Sequence, residues 1–384
     1  MRYLVNRPGW PMVSVAAAIM VALASIVALT LLGRTVPAEA AQFCSGVQIK
    51  PGDDLDAIVN RDPRQRATTF CVNAASSGTL YKINNTVVLR AGDKLLGRPG
   101  PVVTRGPARY GVPPVKIRNG GALDRLVALH GSNVQLKWLD IAGAVGKFKG
   151  GVNLHGSGKG IAAGQTNGTA LMSYLAVHDN AAQGIGSMNG KLLHSNIYNN
   201  GAASAFQGET AAGVKGVDEY EAAYNYIHNN PANGIWCDHG CAEVGPTMPN
   251  GFWAHHNLIA NNGRWGVRVE FSPRVKSGVR TSRRTALVEN NEIHANGYKG
   301  SQYGGGSMLD AQNAMFRNNY FGPKTIAGVG YGANVSGRAL VFSDSGRADR
   351  TDLWNGDAVG NSLGGEQIKN CEEPDNVVYC AANQ

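Results

Sequence analysis

The chain has 384 residues, 51 of them glycine, a formal net charge of +9 and only 16% charged residues. That length permits a large core, while abundant glycine and few charged helix-forming runs argue against a helical protein and for short strands between turns. The positive balance favours an anionic partner, but no nucleic-acid motif accompanies it, so nucleic acid is not expected.

The chain opens with an export signature. Arg2 and Arg7 precede an apolar stretch from Pro11 to Gly33, and Ala38-Glu39-Ala40 offers a small-x-small cleavage site. The stretch is longer than a usual signal core of about 7–15 residues and reaches the length of about 20 that spans a bilayer. Residues 1–41 are therefore read as a signal peptide or, if uncleaved, as an N-terminal membrane anchor through residues 11–33. Either reading places the folded part outside the cytoplasm, secreted or extracytoplasmic. The cysteines fit that compartment, and local pairing is expected: Cys44 with Cys71, Cys237 with Cys241, and Cys371 with Cys380. A metal site on Cys237, His239 and Cys241 is the rival, but it lacks a fourth ligand nearby.

Residues 42–105 read as an N-terminal cap and first coil. Pro51-Gly52-Asp53 opens a short helix through Asn60, with Asp53 or Asp54 as N-cap. The helix is expected to cover the open end of a stack of strands. Strands follow around Thr69–Val72 and Thr86–Leu89, then a turn cluster at Gly97-Arg98-Pro99-Gly100-Pro101. From about 106 to 336 an asparagine-rich phrase recurs, with anchors at Asn196, Asn225, Asn257, Asn291 and Asn319, some 28 to 34 residues apart. Such a period marks a solenoid, one coil per repeat. Stacked Asn side chains hydrogen-bond along such a stack, and Asn225, Asn257, Asn291 and Asn319 are assigned to that structural role. Residues 337–384 lose the phrase and are read as a C-terminal cap. A capped solenoid is expected to be a monomer.

A glycine opens one strand in each coil: Gly151, Gly184, Gly213, Gly234, Gly266 and Gly306. Strand side chains alternate between faces. The first and third residues after each glycine are mostly apolar and should point inward. The second and fourth should point out. Aligned this way, the fourth positions of three successive coils are Asp238, Glu270 and Asp310, and the second positions, counted from one coil earlier, are Lys215, Trp236 and Arg268. Carboxylates one coil apart start about 5 Å from each other, near the separation of a retaining glycosidase, and two coils apart approach the inverting separation. Three stacked acids repel unless one protonates or a cation joins them. Calcium, with its oxygen-rich shell, would suit Asp238, Glu270 and Asp310. Lys215 could serve as base and Arg268 could neutralise a uronate carboxylate, while Trp236 offers a platform for a sugar ring. After the Glu270 strand, a basic run with Arg274, Lys276, Arg280, Arg283 and Arg284 could attract an acidic polymer, with Arg274 and Lys276 as substrate contacts. His155 sits at a matching fourth position far up the stack. His178, His228 and His294 fall on every second coil, about 9.6 Å apart, too far to share a metal, and are read as exposed or hydrogen-bonded strand residues.

The Pro-Gly-Asp-Asp cap and the Asn-Gly coils together resemble the right-handed parallel β-helix superfamily, the pectate-lyase-like fold. The resemblance covers most of the chain after residue 42. Trp236-Cys237-Asp238-His239 is similar to the Trp-x-Asp-His motif of pectate lyases, which implies a calcium ligand at Asp238. The family's downstream arginine signature is missing apart from an isolated Arg268, and the Gly-x-Trp-x-Asp and Gly-x-x-x-Glu coils look closer to uncharacterised exported β-helix proteins. The expected fold is all-β, a right-handed parallel β-helix with N-terminal helical and C-terminal caps. The expected function is carbohydrate-active: a lyase or hydrolase on an acidic polysaccharide through an outward-facing groove. Alternatives are a non-catalytic glycan- or cell-wall-binding surface protein and a polyuronate C5-epimerase, since the fold alone selects none of these.

Overall fold

The computed structural model describes residues 43–61, 66–75, 77–145, 159–165, 169–202, 211–238, 241, 251–272, 285–344, 357–372 and 379–382. The leader, His155, His239 and the basic run with Arg274 and Lys276 lie outside the described residues. From Cys44 onward the chain forms one compact unit, a parallel β-helix whose successive coils pair strand on strand in parallel. Its strands line up in three walls. The first includes Asn233–Cys237, Val267–Ser272 and Gly306–Ala311. The second includes Phe252–His255, Ala286–Glu289 and Ala314–Arg317. The third includes Tyr226–His228, Leu258–Ala260 and Glu292–His294. Two long strands, Gln183–Leu193 and Ala212–Ala223, run unbroken from the first wall into the second and join them in one sheet.

Inward residues of all three walls merge into one core that includes Ile235, Val267, Phe252, Ala254, Ile227 and Ile259. Tyr220 is its largest fully buried side chain. Its ring lies over Gly216, where an added Cβ would come within 2.1 Å of it. Only glycine leaves that space on the inward side of the first wall.

The corners explain the asparagines. At the turn from second to third wall, Tyr224, His256, Asn290 and Asn318 adopt left-handed backbone with φ of 58°, 52°, 53° and 53°, and the next residue sends an amide inward. Asn225, Asn257, Asn291 and Asn319 form the expected ladder: each Nδ2 donates to the next Oδ1 at 2.9–3.0 Å, and the row ends at Asn361. The first rung is Ser195, whose N–H donates to Asn225 Oδ1; the anchor Asn196 is one residue off and belongs to a third-wall strand. A second ladder, which the repeat phrase did not separate from the first, lines the turn from third to first wall. It runs through Asn180, Asn200, Asn230, Asn262, Asn296 and Asn334 and ends on Glu366, which accepts both the N–H and the amide of Asn334.

The expected helix is present as Leu55–Asn60, with Asp54 accepting from the N–H of Ala57. It buries Leu55 and Val59 in the core and docks through Asp56, which accepts from the N–H of Asn85, and Asn60, which receives the N–H of Val88. At the other end, the parallel pairing continues past residue 336. Gly306 to Leu309 pair with Leu340 to Ser343, and these with Ile368 to Cys371. Coils therefore persist where the asparagine phrase fades. Disulfides join Cys44 to Cys71 and Cys237 to Cys241, and the strand register sets Cys371 opposite Cys380.

A hairpin, Val102–Arg105 with Ala108–Gly111, reaches along the outside of the third wall. Arg109 N donates to Tyr224 O, and Arg105 reaches the hydroxyl of Tyr331 beside a second hairpin, Lys324–Ile326 with Val329–Tyr331. Tyr226, Leu258 and Ala260 are buried beneath these two straps.

Candidate functional site

The first wall has the predicted alternation on the coils led by Gly213, Gly234 and Gly266. On the Gly184 coil it breaks, because Ser187 takes left-handed backbone at φ 52° and Met188, expected outward, is buried in the core in register with Gly216. Lys215 pairs with Trp236 and Trp236 with Arg268, while Gly216, Cys237 and Val269 form the inward file beside them. Asp238 and Glu270 follow one residue later on the outward side. The next coil departs from the expectation. Val267 pairs with Gly306, Arg268 with Ser307 and Glu270 with Leu309. The glycine in register with Gly266 is Gly305, whose carbonyl lies 2.5 Å from where a Gly266 Cβ would be. Gly304-Gly305-Gly306 offers three candidate landmarks, and a slip of one residue exchanges the faces of a strand. Asp310 thus leaves the carboxylate column. It is fully buried, with left-handed backbone at φ 47°. The predicted trio of acids is a pair.

Around that pair the side chains interlock. Lys215 Nζ lies 2.8 Å from Asp238 Oδ2 and 3.5 Å from the centre of the Trp236 ring. The indole N–H of Trp236 donates to Glu270 Oε2 at 2.9 Å. Arg268 Nε lies 2.7 Å from the same oxygen but out of line for a hydrogen bond, so that contact is ionic, and its guanidinium carbon is 5.2 Å from the indole centre. The Tyr220 hydroxyl donates to the Trp236 carbonyl, and the Cys237–Cys241 bridge holds the chain on either side of Asp238. Two cations and two carboxylates balance, as buried charges must.

The cluster is covered rather than open: Trp236, Asp238 and Glu270 are 4%, 8% and 6% exposed. Two expectations change as a result. The ammonium of Lys215 takes a face of Trp236, so the indole is a seat for cations and not an open sugar platform. Calcium does not fit, because Asp238 already faces an ammonium, Glu270 a guanidinium and an indole N–H, and Asp310 is out of register. Among the described residues no group of three His, Cys, Asp or Glu side chains could hold a metal ion.

Burial raises the proton affinity of Glu270. The Arg268 charge opposes that shift, the Asp238 charge adds to it, and Lys215 and the Trp236 N–H oppose it; the net shift is upward. Glu270 therefore keeps its proton to a higher pH than a free glutamate.

The third-wall histidines behave as strand residues. The register sets Tyr198 between His178 and His228, and Ala260 between His228 and His294. His178 is held by Asp140 at 2.9 Å and Asp179 at 2.7 Å; burial alone would lower its pKa, but the two carboxylate bonds prevail and raise it. His228 bonds Asn196 and His294 the carbonyl of Gly322. A cleft of about 500 Å³ opens on the turns after the third wall, lined by Val145, Asp179, Asn199, Asn229 and Pro231 among others; no predicted site residue borders it.

A further cluster went unread in the sequence. Lys191, Glu221, Trp253, His255, Glu289 and Arg317 gather on the outward side of the second wall. Glu221 and Trp253 stand four residues before a ladder asparagine, and His255, Glu289 and Arg317 two residues before one. Alignment on the ladder instead of on the glycines would have exposed them.

No family model matches the chain, and no curated protein sequence does. Solved structures that it resembles are parallel β-helix proteins. A mannuronan C-5 epimerase A-module of Azotobacter vinelandii aligns at 13% identity over 77% of this chain and 88% of its own, with a TM-score of 0.40. The Dettilon tailspike protein aligns at 14% identity over 84% and 62%, with a TM-score of 0.44. An alginate lyase from Paenibacillus aligns at 12% identity over 84% and 97%, with a TM-score of 0.36.

Proposed function

We propose that this is an exported carbohydrate-active protein, a lyase or hydrolase that acts on an acidic polysaccharide at the outward side of the first wall. The observation that carries the reading is the pair Asp238 and Glu270. They occupy neighbouring coils, about 4.8 Å apart along the stack, in unlike surroundings: Asp238 faces an ammonium at 2.8 Å, while burial pushes the Glu270 pKa up. Two acids with divergent environments divide the work of acid and base. Glu270 is the proton donor to a leaving oxygen. Arg268, the most open member of the cluster with 17% of its side chain exposed, meets a sugar carboxylate first. When it turns to that carboxylate it releases Glu270. For a lyase, Lys215 gives its ammonium proton to solvent once Asp238 turns away, and the neutral amine then takes the proton beside the neutralised carboxylate. For a hydrolase, Asp238 is the second carboxylate, and the one-coil separation corresponds to retention of configuration.

A second reading is a non-catalytic glycan-binding protein. It is favoured by the burial of Asp238 and Glu270 and by their existing ion pairs. Incubation with a panel of uronate polymers separates the two. New ultraviolet absorbance from an unsaturated product supports the lyase, and reducing ends without absorbance support the hydrolase. Uronate inversion without cleavage would identify an epimerase. Binding without any product supports the second reading, and neither binding nor product refutes both.

A further inference from the structure

The second wall repeats much of the chemical recipe of the first on overlapping coils, with its carboxylates buried and its cations in the open. Its outward files are Lys191, Glu221 and Trp253, and beside them Ala223, His255, Glu289 and Arg317. Trp253 Nε1 donates to Glu289 Oε1 at 2.9 Å, as Trp236 does to Glu270. Arg317 Nε donates to the other oxygen of Glu289 at 2.6 Å, where Arg268 crowds the same Glu270 oxygen that the indole uses. Lys191 Nζ sits 2.7 Å from Glu221, and His255 Nε2 approaches the same carboxylate at 3.2 Å. Exposure separates the two clusters. The side chains of Lys191 and Arg317 are 50% and 41% exposed, against 4% and 17% for Lys215 and Arg268.

Each part has a use toward a sugar chain. Trp253 is half-buried and its plane is fixed twice, by the Glu289 bond and by the His255 ring stacked 4.0 Å away. His255 takes one face of the ring, and the other face of this rigid, half-buried indole offers a flat apolar surface at little cost in side-chain freedom. The neighbouring turn residues Trp138, Tyr174, His194, Tyr224 and His256 stack in a ribbon with centroids 4.5–5.1 Å apart. Those rings cover one another's faces and give the strip a stiff margin parallel to the helix axis. Lys191 and Arg317 stand four coils apart, about 19 Å, with Trp253 between them. That span suits several sugar units, and exposed cations at both ends suit carboxylates on the sugars either side of a stacked one.

We infer that the second wall, centred on Trp253, is the surface that holds the saccharide, with the indole under one pyranose ring and Lys191 and Arg317 receiving the carboxylates of uronate units on either side. The inference rests on the carbohydrate reading above and moves the platform role from Trp236 to Trp253. Affinity electrophoresis of the full chain through gels containing a uronate polymer or a neutral glucan tests it. The expected result is retention of the wild type by the uronate polymer. Trp253→Ala weakens that binding about tenfold or more, and Trp253→Phe, which keeps a ring, weakens it less. Lys191→Ala/Arg317→Ala, changed at exposed positions, loses uronate retention without gaining retention on glucan. Where Trp253→Ala does not fold, the double variant decides. Wild-type retention that survives in Trp253→Ala or in the double variant overturns this inference and leaves the carbohydrate reading standing. A wild type retained by no polymer overturns both.

Discussion

Replacing Asn257 with alanine should destabilise the protein more than any exposed asparagine change, and the ladder bonds say by how much. Asn257 Oδ1 accepts from the backbone N–H of Asn225 and from its amide, each at 3.0 Å. Its own amide donates to Ala222 O at 2.8 Å and to Asn291 Oδ1 at 2.9 Å. Asn291 Oδ1 keeps a donor in the N–H of residue 257, and the Asn225 amide keeps Leu192 O. The loss that remains is the buried N–H of Asn225, left without that acceptor, together with weakened pairing at Ala222 and a small cavity. An unpaired buried donor costs about 1–3 kcal/mol, and the rest brings the total to about 3–5 kcal/mol. At about 2 °C per kcal/mol for a chain of this size, the melting temperature falls by about 6–10 °C. Thermal unfolding followed by circular dichroism is the assay, with Asn229→Ala as comparator. Asn229 precedes a ladder asparagine, as His256 precedes Asn257, and has left-handed backbone at φ 54°, but it is exposed, so its loss costs about 1 kcal/mol. If the two variants melt together, the ladder is not what closes the corner and the energetic argument fails.

Other expectations follow from the same geometry. Gly216→Ala places a methyl group 2.1 Å from the Tyr220 ring, so it should cost about 1–3 kcal/mol; a wild-type urea midpoint for this variant would contradict the packing described. Acid should act with opposite sign on two glutamates. Burial alone would raise the Glu289 pKa, but the bonds from Arg317 and Trp253 prevail and lower it, so its contribution is present above the ordinary value of 4.5 and is lost as pH falls through the depressed one. Glu270 is raised, chiefly by burial, so its contribution is complete below 4.5 and is lost as pH rises through the elevated value. Glu289→Gln should therefore flatten the acid limb of a stability–pH profile, and Glu270→Gln should remove a decline on the less acidic side. Profiles that shift in the same direction would refute the assignment.

The solenoid, its ladder and its outward–inward alternation were legible because they repeat. A coil that must stack on its neighbours imposes the same residue type at the same place, as Asn225, Asn257, Asn291 and Asn319 show. The helix was legible from its cap, although the sequence left Asp53 and Asp54 as alternatives and the structure uses Asp54. Register failed where three glycines stood in a row, because glycine carries no side chain to say which way it faces; Asp310 moved by one residue and out of the column. Burial was illegible for a different reason. Alternation tells which side of a strand a residue occupies, not whether that side is covered, so Trp236 was read as open when Lys215 occupies its face. The second-wall cluster hid because its members are spread over five coils and share no motif, only a fixed offset from the corners.

Turnover by Glu270→Gln is the sharpest check on Glu270 as the proton donor. On a uronate polymer that the wild type cleaves, the variant keeps the Trp236 bond and the shape of the cluster but cannot carry a proton. The rate of product release should fall about 100-fold or more while retention of the protein by the polymer is unchanged. A folded Glu270→Gln protein that releases product at the wild-type rate would contradict that role.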